Sequence, residues 1–141
     1  MKAILATLAL TLSATSFAAT SNTDALKSIV EAGTFQGKNC SVTVSHSGDS
    51  SSVSVTAQGT TEYFTIMNIT SSTGYAVSYK EETNELSGMQ QIRFPKYQYG
   101  GSKMFYAKLK ADGKALVSLS TILLDHRGND ASTYASCEIS K

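Results

Sequence analysis

Few residues in this chain have chemistry to offer, and they are scattered. Cys40 and Cys137 are its only cysteines. Their wide separation suits a structural disulfide in an oxidising compartment, not a redox pair two residues apart. His46 lies close before Asp49, and His126 directly follows Asp125. Either histidine could act as a general base beside a serine, the arrangement of a small hydrolase. No serine sits in a nucleophile-elbow sequence, however, and Asp125-His126 reads more simply as two polar residues of a turn. Two isolated histidines make no zinc set, and no calcium-loop pattern occurs. No catalytic residue, metal or cofactor is therefore expected. Glu81, Glu82 and Glu85 could do acid–base work in principle, but they share a hydrophilic turn and read as solvated.

The most unusual stretch runs Arg93-Phe94-Pro95-Lys96-Tyr97-Gln98-Tyr99-Gly100-Gly101-Ser102-Lys103. It reads either as a functional loop between two strands or as tyrosines that continue a strand or fold back over the barrel end. Tyrosine and arginine are favoured at interfaces, and loops on a rigid scaffold carry function. Arg93, Lys96, Tyr97, Tyr99 and Lys103 are the candidate residues for binding a protein partner or a glycan. Six basic residues fall between Arg93 and Lys114, opposed only by Asp112. One basic patch facing an acidic partner is expected.

These residues must be positioned by a small domain. Met1-Lys2, the apolar run from Ala3 to Leu12 and the small residues of Ser16-Phe17-Ala18 follow the order of a secretory signal cut after Ala18. The apolar run is too short to span a bilayer as a helix. Residues 1–18 are thus read as a signal peptide of bacterial type and 19–141 as one exported domain, periplasmic or secreted. Without Lys2, eleven basic residues balance eleven acidic ones. Zero net charge argues against nucleic-acid binding and against a polybasic membrane anchor. Asn39-Cys40-Ser41 and Asn68-Ile69-Thr70 match a glycosylation acceptor pattern but carry no meaning in a bacterial chain.

Leu26, Ile29 and Val30 share one face of a short helix capped by Asn22 or Thr23 and stopped by Gly33. From Cys40 onward the apolar period is two, with turn signals at regular intervals. About eight antiparallel strands result, the first carrying Cys40 and the last Cys137. A bond between them requires those strands to lie together. A meander meets that demand by closing into an up-and-down barrel, and a β-sandwich is the alternative. A helix followed by such a meander resembles lipocalin-like barrels in architecture, although that family's Gly-x-Trp signature is missing and the chain has no tryptophan. An outer-membrane barrel is disfavoured because the second strand faces are Ser, Thr, Gln and Lys.

The expected function is that of a non-enzymatic binding protein. A small apolar ligand could sit inside the barrel, with Ala57, Gly88 and Ala107 leaving room. A filled interior would instead favour a partner bound by loops, as in an inhibitor of a secreted enzyme or an envelope interaction protein.

Overall fold

The computed structural model describes residues 19–69, 71–94, 99–124 and 132–141. The signal segment 1–18, Lys96, Tyr97, Asp125 and His126 lie outside the described residues.

The helix α1 spans Asn22–Ile29. Its cap is Ser21, one residue before the expected position, whose hydroxyl accepts from the Asp24 amide. Among the described residues ten strands follow: β1 Gly33–Gly37, β2 Cys40–Ser47, β3 Ser50–Ala57, β4 Thr60–Met67, β5 Ser71–Ser72, β6 Tyr75–Lys80, β7 Glu85–Phe94, β8 Tyr99–Leu109, β9 Lys114–Leu124 and β10 Thr133–Ser140. They form one antiparallel sheet in the order β4-β3-β2-β1-β10-β9-β8-β7-β6-β5. The all-β class is as expected. Two strands escape a sequence reading. β1 carries a single apolar side chain, Phe35, between two glycines, and β5 has only two residues. Cys40 consequently lies on the second strand, not the first.

The first and last strands do pair, through Gly37 and Ile139. The barrel nevertheless does not close, because β4 and β5 are the two edges of the sheet. Side chains satisfy part of the β4 edge instead. The Tyr75 hydroxyl accepts from the Met67 amide at 2.8 Å and donates to the Thr65 carbonyl at 3.3 Å. The Lys103 ammonium donates to the Tyr63 carbonyl at 3.1 Å. Groups that would otherwise be free to pair with another chain are thereby occupied.

The sheet coils until β10 packs on β2, β3 and β4, while α1 packs on β4, β6, β7 and β8. Ala25, Leu26, Ile29 and Val30 are fully buried there. Gly88 faces the core closely. A Cβ at that position would sit 3.0 Å from the Phe64 ring, which stacks between Tyr75 and Phe105 at 6.2 and 5.5 Å. Ala107 is likewise fully buried, and Ala57 packs at the core's margin. The space a barrel ligand would take is filled by α1 and by these side chains.

Cys40 and Cys137 are bonded, with Cα atoms 5.6 Å apart. The bond links β2 to β10 across the end of β1. Gly37 lies beneath it, and a Cβ there would come within 2.6 Å of both sulfurs. Only glycine lets β1 pass under the bridge. Among the described residues no helix is long and apolar enough to cross a membrane.

Candidate functional site

Strand alternation sends every second residue to the concave face of the sheet. Across four neighbouring strands one row of that face is polar. Thr133, Thr121, Lys103 and Gln90 are in direct register, and Tyr75 continues the row. The next row, Ala135, Leu119, Phe105, Gly88 and Val77, is apolar throughout. The hydrophobic core therefore ends at a sharp polar boundary.

β4 crosses that boundary. Its Phe64 and Ile66 belong to the core, and Glu62 points inward with them, 7% exposed. The Glu62 carboxyl accepts from the Thr121 hydroxyl at 2.5 Å and from the Thr133 hydroxyl. A buried carboxyl needs such donors, because its desolvation is otherwise uncompensated. The two bonds also tie β4 to β9 and β10 from the far side of the sheet.

Between β4 and β7–β9 this polar region opens as a cleft of about 630 Å³. Glu62 and Thr121 lie at its inner end, and Arg93, Lys103 and Tyr63 at its rim. Tyr63 is 60% exposed. The Arg93 guanidinium donates to the Gln91 side-chain oxygen at 3.1 Å, and Lys103 donates to a backbone carbonyl. Among the described residues neither cation has a carboxylate within ion-pair distance.

The other described cations of the expected basic patch differ. Lys108 pairs with Glu85 at 2.7 Å, and Lys110 and Lys114 pair with Glu138 at 2.7 and 3.4 Å. Hydrogen bonds from Lys108 and Lys110 hold the Glu85 and Glu138 carboxyls below their ordinary range. The patch is thus not continuous. Folding neutralises one part of it, while Arg93 and Lys103 at the cleft have no ion-pair partner among the described residues.

Of the two readings of the Arg93–Lys103 stretch, the structure follows the one in which a tyrosine continues a strand. Arg93 lies on β7, while Tyr99 and Lys103 lie on β8, with Arg93 opposite Gly100 and Phe94 opposite Tyr99. Glycine at 101 keeps this pairing tight, since a Cβ there would strike the Ile122 carbonyl. Of the five candidates, Arg93 and Lys103 both line the cleft, Lys103 from the concave row and Arg93 from the alternate residues of β7 that also carry Met89.

The histidine expectation meets a different setting. The His46 Nδ1 lies 2.6 Å from the Ser51 hydroxyl, not beside Asp49. Ser51 is 1% exposed, and the His46 Nε2 is buried without a partner among the described residues. Burial, followed by the nearby Lys27 charge, lowers the His46 pKa. This pair resembles a serine–histidine dyad in composition, but both reacting atoms are sealed from solvent.

Glu62, Gln90, Thr121 and Thr133 were not singled out from the sequence. Glu62 alone carried a signal there, an acid in phase with Phe64 and Ile66 on one strand.

Comparison with known proteins finds no matching family, no similar characterised protein and no matching solved structure.

Proposed function

We propose that the chain is an exported, non-enzymatic binding protein that engages an acidic partner at the cleft between β4 and β7–β9. The observation that carries this reading is the pair of cations, Arg93 and Lys103, which line a cleft of about 630 Å³ and have no ion-pair partner among the described residues. Fixed positive groups without an internal counter-charge favour an anionic partner and speed its approach. Exposed Tyr63 adds a ring for contact beside them. The bridge between Cys40 and Cys137 supports an oxidising location, periplasmic or secreted. The occupied interior supports binding at the surface over an apolar ligand held within. An inhibitor of a secreted enzyme or an envelope interaction protein would work in this way.

The test is affinity capture from the envelope and medium of the producing cell, using the oxidised chain and its Arg93→Glu variant. The expected result is a partner whose retention falls with rising salt and is lost with Arg93→Glu, an exposed position whose reversal leaves the core untouched. Equal capture by both forms would sink the proposal.

A further inference from the structure

The outer face of the same strands carries a second depression, a groove of about 480 Å³ that runs across β6 to β10. Two rows form it in register. One is Ala76, Met89, Met104, Ser120 and Tyr134, and the other is Ser78, Ser87, Tyr106, Ser118 and Ser136. Small side chains on four of the five strands, β6, β7, β9 and β10, keep the floor low. Met89 and Met104, 39% and 48% exposed, and the two tyrosines rise above it.

Tyr134 is 64% exposed and offers its ring to solvent. One row further along the sheet, Ser118 and Ser136 share a hydrogen bond of 2.8 Å, so the serine floor beside it is ordered.

Charge limits what can lie here. No charged residue belongs to either row. The next outer row, Lys80, Glu85, Lys108, Leu116 and Glu138, holds charges largely paired among themselves or with Lys110 and Lys114. An ionic ligand would lose its hydration in the groove without gaining a counter-ion. A purely aliphatic ligand would bury a floor of serine hydroxyls without partners. An uncharged chain with hydroxyl groups at its edges and apolar ring faces meets both demands, since its C–H faces cover tyrosine and methionine while its hydroxyls meet serine.

We propose that this outer groove binds a neutral glycan chain, stacked on Tyr134 and Tyr106 and hydrogen-bonded by the serines between them. The site shares no side chain with the cleft and stands whether or not the cleft engages an acidic partner.

Calorimetric titration of the oxidised chain with chitohexaose, cellohexaose and maltohexaose, each uncharged, is the test. At least one should bind saturably. Tyr134→Ala should weaken that binding at least tenfold, and Tyr134→Phe, which retains the ring but not the hydroxyl, should weaken it less. Arg93→Ala, at the cleft, should leave it unchanged. Tyr134 is exposed, so these variants retain the fold, and circular dichroism checks it. The proposal is overturned if none of the three sugars binds, if Tyr134→Ala binds as tightly as the parent, or if decanol or an uncharged serine-rich peptide occupies the groove where the sugars do not.

Discussion

The cleft and the outer groove lie on opposite faces of the same strands, and their chemistry is opposite too. The cleft presents Lys103, Arg93 and the end of a buried carboxyl. The groove presents methionine, tyrosine and serine. On β8, β9 and β10 residues adjacent in the chain part company, whereas on β7 the run Gln90 to Arg93 lines the cleft as a whole. Lys103 serves the cleft and Met104 the groove, as do Thr121 and Ser120, or Thr133 and Tyr134. The period-two alternation of a strand therefore writes two surfaces into one segment. A functional residue here has meaning only with its face, and a loop-like run of sequence such as Arg93 to Lys103 can feed two unrelated sites.

Both surfaces depend on β10, which contributes Thr133 to one and Tyr134 to the other, and which the disulfide ties to β2. Replacing Cys40 and Cys137 with serine is expected to have the largest effect, removing up to about 4.7 kcal/mol for a loop of roughly 100 residues. Urea unfolding of the two forms measures it, and ligand binding at cleft and groove should weaken together. An unchanged midpoint would mean that β10 is held by its pairing alone.

A change confined to the cleft should separate the two surfaces. Glu62→Ala deprives the Thr121 and Thr133 hydroxyls of their acceptor. A cost of about 1–3 kcal/mol is expected, chiefly from the unsatisfied hydroxyl of buried Thr121. Titration of the groove with a neutral sugar should show no change beyond that loss of stability. If groove affinity falls in proportion, the two faces are coupled and the comparison fails.

Lys103→Ala is expected to weaken capture of an acidic partner about tenfold, or about 1.4 kcal/mol, while sparing the groove. It also bares the Tyr63 carbonyl on the edge of β4. Sedimentation at rising concentration should then reveal self-association through that edge. A strictly monomeric variant would show that Tyr75 guards the edge without Lys103.

The smallest effect concerns pH. The folded chain lowers the pKa of His46, chiefly by burial, from its ordinary 6.5. The unfolded chain then binds the proton more readily, so stability is full above 6.5 and is lost as pH falls through the folded value. Glu85 and Glu138 have the same sign at lower pH, their stabilisation being lost below the ordinary 4.5. Melting scans of the parent and His46→Gln should diverge in the first window and not in the second. Because His46 lies on β2, away from both surfaces, binding at cleft and groove should persist through the first window.

Much of the architecture was legible locally. The helix announces itself by the spacing of Leu26, Ile29 and Val30, and most strands by alternation. The hairpin at Lys110–Lys114 was legible as Ala111-Asp112-Gly113, where Gly113 takes a φ of +82° and Asp112 accepts from the Lys114 amide. β1 was not, because a strand of glycine, threonine and glutamine around one phenylalanine has no period to show. The cleft was half legible. Arg93 and Lys103 stood out by type, but Glu62, Thr121 and Thr133 meet over sequence separations of 59 and 71 residues.

What the sequence determines by itself is set by neighbours in the chain: the all-β class, the helix, the turns and, through two lone cysteines, the bridge. Tertiary structure decided the rest. It left the sheet open at β4 and β5, since two residues of β5 cannot carry a ladder across and side chains take over part of the edge. It filled the interior, since α1 has an apolar face that only the sheet can cover. It also chose which cations stay unpaired, since Lys108 and Lys110 find acids on adjoining strands or turns while Arg93 and Lys103 lie at a rim where, among the described residues, none is in reach. Charge pairing between strands is a matter of register, and register exists only once the strands have met.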